Sequence, residues 1–146
     1  MVIDSSAVLA ILLDEPERRR FNIAIERDPF RLISAASVLK CALLLESQRG
    51  ETAGRELDLL LNRAQVEIVP VDAGGAEQAR ATWRRFGRGR HPAALDVSDC
   101  ISYGLSITSR EPLLFKGTGF AQTRIRAVNT TIAPGDRDFL AADFFA

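Results

Sequence analysis

MVIDSSAVLAILL, residues 1–13, sets a two-residue apolar strand, an aspartate and an apolar helix in immediate succession. Val2 and Ile3 are branched at Cβ and favour extended backbone. The hydroxyl of Ser5 or Ser6 can cap a helix that runs through Leu13. Asp4 therefore stands at the carboxyl end of a strand, facing a helix start. Asp14 and Glu15 end the stretch after too few apolar residues to span a bilayer, and no basic segment precedes it. It is expected to be folded structure in a cytoplasmic protein.

Outward from this stretch the alternation continues. Pro16 suits the first turn of a second helix, whose Phe21, Ala24 and Ile25 repeat at helical spacing up to the Asp28-Pro29 break. Arg31 to Ile33 can form a short strand, and SAASVLKCALLLESQRG, residues 34–50, predicts a long apolar helix that stops at Gly50. A leucine-rich helix follows over 51–65 (Leu57, Leu59, Leu60, Leu61), then a strand over 66–71 and a helix capped by Asp72 and ending near Phe86. GRGRHPAA is a basic loop, 96–108 a helix, 112–115 a strand and 126–129 a last short strand. Strands alternating with helices predict an α/β fold with a central parallel sheet flanked by helices, whose sites lie at the strand carboxyl ends. The expected domain is 1–129, followed by an irregular tail, 130–146, with a terminal helical turn of Leu140, Phe144 and Phe145.

The composition agrees with one soluble domain: 146 residues, 47% apolar and 26% charged. Acidic and basic residues cancel at 19 each, which excludes a chain held to nucleic acid or membrane by overall charge. Any nucleic-acid contact must be a local patch. Cys41 and Cys100 lie in apolar helical stretches and are expected to be buried thiols in a reducing compartment.

Three acids can carry chemistry. Asp4 ends the first strand, Asp99 lies in the first turn of the helix after the basic loop, and Asp96 stands one turn earlier on the same face. A hard divalent ion takes oxygen ligands from one or two carboxylates, waters and substrate phosphate, so these acids suffice in principle. Equally, Asp4 may be read as a helix cap, and Asp96 and Asp99 as acids favouring a helix N-terminus. Arg84, Arg85, Arg88, Arg90 and His91 form a basic cluster that can hold an RNA backbone, or simply end a helix in solvent; Gly87 and Gly89 suggest a flexible loop. Trp83 and Tyr103 are expected in the core, and Lys116 at a solvated strand end. His91 is the only histidine, so no histidine triad or zinc cluster can form.

Four blocks, MVIDSSAVLAILLDEPE (1–17), ISAASVLKCALLLESQRG (33–50), GRGRHPAALDVSDCISYGLS (87–106) and EPLLFKGTGF (111–120), resemble the PIN domain of VapC-type toxins in order and spacing over residues 1 to about 126. The resemblance implies a three-layer PIN fold, a magnesium- or manganese-dependent endoribonuclease, a cognate antitoxin and a homodimer. In that family an acidic quartet holds the metal. Asp4 and Asp99 match two of its members and are the implied metal ligands. The other two positions are altered: Lys40 stands where the family has a glutamate, and Thr118 and Gly119 stand where it places acid. Asp96, where relatives commonly have asparagine, is a candidate third acid. Glu46 is six positions beyond Lys40 and points off its face.

Two readings of function follow: an active ribonuclease toxin, or a weakened PIN module that dimerises and binds antitoxin or RNA without efficient cleavage. A third class, phosphoryl transfer through an aspartyl nucleophile, wants a second acid near Asp4, where the chain has DSSAV. The leucine-rich helix offers apolar surface for a homodimer. Lys40 also divides the alternatives. It either joins a polar stripe with Ser37 and Ser47 and reaches solvent, or points into the cleft and pairs with Asp4, Asp99 or both. The second is expected, because Leu39, Cys41, Ala42 and Leu43 surround it.

Overall fold

The computed structural model describes residues 1–138. Four short strands, β1 (Val2–Ile3), β2 (Leu32–Ser34), β3 (Glu67–Val69) and β4 (Leu113–Leu114), form one parallel sheet in the order β3-β2-β1-β4. Six helices make the connections: α1 (Ser5–Leu12), α2 (Arg18–Arg27), α3 (Ala35–Arg49), α4 (Glu51–Arg63), α5 (Ala73–Phe86) and α6 (Val97–Ser109). Successive strand residues point to opposite faces, so even a two-residue strand serves both layers. Ile3, Ile33 and Leu114 enter a core shared with α1 to α4, whereas Val2 and Leu113 enter a second core with α5 and α6. Both faces of the sheet are thereby covered, as parallel strands require. The architecture is the expected three-layer α/β fold.

Local signals set most boundaries. Ser34 caps α3 through a 3.0 Å bond from the Ser37 amide, Gly50 ends that helix at φ +78°, and Asp72 caps α5 through the Gly75 amide at 2.7 Å. Others differ from expectation. α1 is capped by Asp4 rather than Ser5 or Ser6, because the helix begins one residue after the strand ends. Pro16 lies in the turn before α2, not in its first turn. Residues 126–129 contribute only a bridge from Ala127 to Leu113, since one strand residue suffices to cover the outer edge of β4.

Side-chain burial also corrects three readings. Leu57, Leu60 and Leu61 fill one face of α4 and belong to the core, so only Leu59 is left over from the leucine run. The exposed apolar surface lies on α3 instead, where Leu39 and Leu43 are 59% and 61% exposed. Tyr103 is buried as expected, but Trp83 is 41% exposed. Beyond β4, a 3₁₀ turn (Pro134–Asp138) is tied to α2 by an Arg27–Asp136 ion pair. The expected terminal turn of Leu140, Phe144 and Phe145 lies outside the described residues. Among those residues no helix is long and apolar enough to cross a membrane.

Candidate active site

The order in which strands are added reverses at β1, while every strand stays parallel. From β1 the chain proceeds to β2, whereas β4, on the other side of β1, is followed by the segment that bridges its outer edge. Such a reversal opens a crevice beyond the strand carboxyl ends. Asp4 is the first residue past β1 there and is only 1% exposed. Its Oδ2 accepts the Ser6 amide at 2.9 Å and the Ser6 hydroxyl at 2.7 Å. Ser6 Oγ in turn accepts the Lys116 amide at 3.0 Å, which ties the exit of β4 to the same carboxylate. Oδ1 of Asp4 is buried and has no hydrogen-bond partner. An unsatisfied buried carboxylate oxygen is costly, and a cation would satisfy it.

The start of α6 carries the other two acids in a reciprocal cap. Asp96 Oδ1 accepts the Asp99 amide and Asp99 Oδ2 accepts the Asp96 amide, both at 2.9 Å. Despite this symmetry their environments diverge. Burial pushes the Asp99 carboxyl up to about 6, and the negative charges of Asp4 and Asp96 add to that rise. Burial opposes ionisation of Asp96 as well, yet the Lys40 ammonium, the Asp99 amide and the Ser98 hydroxyl overcome it and hold the group at about 2. Asp96 Oδ2 accepts from Lys40 Nζ at 2.8 Å, and its Oδ1 accepts from Ser98 Oγ at 3.1 Å. Both oxygens of Asp96 are therefore engaged.

Lys40 does face the acids, but its partner is Asp96 and not Asp4 or Asp99, whose charges act on it only through space. As the cap residue, Asp96 lies outside the first turn of α6 and meets the ammonium before the others. Lys40 Nζ also donates to Ser98 Oγ at 3.0 Å. Burial lowers the Lys40 pKa, and the bond to Asp96 more than reverses this. The expected dry surroundings are absent, since Leu39 and Leu43 are exposed; attraction to Asp96 places the side chain. Nor is there a polar stripe, because Ser37 is buried against Ser102 and Ser47 bonds back to its own helix.

The two remaining altered positions follow β4. Thr118 is exposed, and Gly119 packs so closely that a Cβ there would stand 3.0 Å from the Ala93 carbonyl oxygen. Among the described residues no three histidine, cysteine, aspartate or glutamate side chains gather around one point. What the chain offers a metal is Asp4 and Asp99, a donor set that fits a hard divalent ion completed by water and substrate phosphate. Lys116 keeps a partly exposed side chain at the strand end, as expected, and also pairs with Glu15 and, at 3.4 Å, with Glu17. Cys41 and Cys100 are buried free thiols, pushed up to about 12 and about 11, first by burial and then by neighbouring carboxylates.

The basic loop is held in place rather than loose. Gly87 bridges Leu95, the Arg88 amide donates to the Leu95 carbonyl at 3.1 Å, and the Leu95 amide donates to the Phe86 carbonyl at 3.0 Å. His91 Nδ1 accepts the Ala93 amide at 3.0 Å while its ring meets Phe86 edge-on. Arg90 stacks on Trp83, 4.1 Å from the ring centroid. Ser6, Ser98 and Trp83 were not singled out as site residues from sequence. The serines had a signal: each stands two positions after an aspartate, where a side chain can bond back to the carboxylate.

Comparison with known proteins places this geometry in a family. The PIN domain profile matches residues 1–125. Ribonuclease VapC30 of Mycobacterium tuberculosis is 53% identical over 128 residues, covering 88% of this chain and 98% of that protein. Ribonuclease VapC of Mycolicibacterium smegmatis is 51% identical over 129 residues, covering 88% of this chain and all of that protein. Among solved structures, the sarcin-ricin-loop-cleaving toxin VapC20 of Mycobacterium tuberculosis superposes with a TM-score of 0.70 at 14% identity, over 85% of this chain and 95% of that one. A chain of a toxin-antitoxin complex from Klebsiella pneumoniae gives a TM-score of 0.65 at 18% identity, over 90% of this chain and 98% of the other. At such identities the two structures speak for the fold, and the two closely similar sequences carry the family: the chain is a PIN-domain protein of the VapC ribonuclease family.

Proposed function

We propose that the chain is the toxin of a toxin-antitoxin pair, an endoribonuclease in which Asp4 and Asp99 hold one magnesium or manganese ion against a phosphate of RNA. The observation that carries this reading is the unpartnered, buried Oδ1 of Asp4, whose charge also helps raise Asp99. Carboxylates crowded in this way lack a cation. When bound, the ion would draw charge from the phosphate and activate a water. The chain's own residues do the rest. Ser6 fixes the rotamer of Asp4, the Asp96 cap fixes Asp99, and Lys40 balances the charge of Asp96. Arg88, Arg90 and His91, which follow α5, would contact the RNA backbone through its phosphates. An antitoxin is the expected partner, as in the Klebsiella complex. A homodimer through the exposed α3 leucines, in the cytoplasm, completes the assignment.

A second reading rests on one observation. The Lys40–Asp96 pair puts a fixed ammonium where the resemblance supplies a metal-binding glutamate, so affinity for the ion falls and cleavage weakens. Calorimetric titration with manganese, beside cleavage of a mixed-sequence RNA with and without chelator, decides between them. Chelator-sensitive cleavage and metal binding lost in Asp99→Asn establish the nuclease. RNA bound but not cut, with no measurable metal uptake, leaves the binding module.

A further inference from the structure

We propose that the Trp83–Arg90 stack is a station for one unpaired nucleotide of the RNA substrate, its base lying on the exposed indole–guanidinium surface and its phosphate on the neighbouring arginines. The inference rests on the ribonuclease reading above and adds a residue to it that lies outside the acidic site.

The position of the stack follows from the loop. Leu95 is bonded to Phe86, Trp83 is three residues before Phe86, and Asp96 directly follows Leu95, so the helix end that carries the stack is joined through this pairing to the cap that holds Asp99. The same loop packs on the turn after β4, where Gly119 meets the Ala93 carbonyl and Leu95.

The chemistry is that of base holding. Trp83 is 41% exposed, and the Arg90 guanidinium lies over its ring, so an aromatic and a guanidinium plane are presented together at the surface. Unstacked bases in RNA settle on aromatic rings and on arginine planes, and each such contact is indifferent to base identity. Gly87 supports the ring edge: a Cβ there would meet Trp83 Cδ1 at 2.2 Å, so the pyrrole edge of the indole packs on this glycine. Arg84, Arg85, Arg88 and Arg90 have no carboxylate partner among the described residues, whereas Lys40, Arg27, Arg80 and Lys116 each have one. In a chain of zero net charge these four guanidiniums, gathered within residues 84–90, are a local concentration of positive charge. Its backbone is fixed by the Gly87–Leu95 bridge, so little ordering remains to oppose binding.

Trp83 is the only tryptophan, which makes its emission a reporter of this surface alone. A fluorescein-labelled single-stranded 20-nucleotide RNA of mixed sequence, titrated into the metal-free full chain, gives affinity by anisotropy and stacking by tryptophan quenching. Quenching that saturates with the anisotropy is expected, with affinity falling about tenfold in Trp83→Ala and Arg90→Ala and largely kept in Trp83→Phe. RNA binding with unchanged emission and unchanged affinity in the variants overturns the station while leaving the ribonuclease reading intact. Equal quenching by polyglutamate also overturns it, since the surface would then answer to charge or to an acidic protein. A wild type that neither binds nor cleaves RNA sinks the ribonuclease reading and the station together. Should Trp83→Ala fail to fold, quenching in the wild type and the Arg90→Ala affinity still decide.

Discussion

The crevice has two halves that treat buried carboxylate in opposite ways. On one side Asp96 is fully served, by the Lys40 ammonium, the Ser98 hydroxyl and the Asp99 amide, and its carboxyl sits near 2. On the other, Asp4 keeps a buried oxygen without a partner and Asp99, three residues from Asp96, is pushed to about 6. The two α6 acids share one capping box, so the difference comes from what approaches from outside the helix. A resident cation quiets one half and leaves the other unbalanced. Ion pairing satisfies carboxylate where the cation is built in, and negative charge stays unrelieved where it is missing.

The contrast is broken most severely at Asp4. Asp4→Asn keeps an oxygen for the Ser6 amide and removes the charge, so manganese affinity should fall by roughly a hundredfold or more, read by calorimetry, with the metal-free fold intact. Retained affinity would mean that Asp4 serves α1 alone. Next is Lys40→Glu, which should raise metal affinity on the order of tenfold at low salt and lower metal-free stability by about 1–2 kcal/mol, because Asp96 loses its partner and gains a like charge. A variant as stable as wild type without metal would contradict the charge balance described for Asp96.

Smaller effects sharpen the picture. Asp99 has a raised folded pKa, so it binds its proton more tightly in the folded state. Its contribution disfavours the fold above about pH 6 and is relieved as pH falls from there toward the ordinary carboxylate value of 3.8. Discounted for partial exposure, Asp99→Asn should stabilise the metal-free protein at pH 7 by about 1 kcal/mol, a few degrees in melting temperature, and should flatten its pH dependence between 4 and 7. Asp96 acts in the reverse sense, and its depressed pKa keeps its stabilising contribution until pH falls below about 3.8 toward 2. The smallest change is expected for Ser98→Ala, which removes a hydroxyl between Lys40 and Asp96 at a cost of about 0.5–1 kcal/mol in a denaturant midpoint and leaves metal affinity unaltered.

The long helices were legible because caps and stops mark them: Ser34 and Gly50 around α3, Asp72 before α5, Asp96 before α6. So was the strand-to-helix step that carries Asp4. Strands of two or three residues contain too little alternation to be bounded, which explains why the expected 66–71 strand shrank to Glu67–Val69 and the 126–129 strand to a bridge. Lys40 could be directed toward acid from sequence, but not to Asp96. That choice depends on where a cap residue projects, a tertiary fact. Trp83 resisted for a similar reason, because helical spacing ignores the loop that folds back and lays Arg90 on its ring.

Gly119 has a further consequence for mutational history. A path toward a four-acid crevice has open and obstructed steps. Position 118 is exposed, and the Lys40 side chain is one-third exposed, so an acid at either site meets no wall. Position 119 differs, because any side chain there must displace the Ala93 carbonyl by a few tenths of an ångström, and Ala93 belongs to the same bridged loop that leads into Asp96. An acid introduced at 119 first would disturb the cap it is meant to assist. Building such a site is therefore ordered, with the lysine and the threonine exchangeable singly and the glycine only after the loop has shifted.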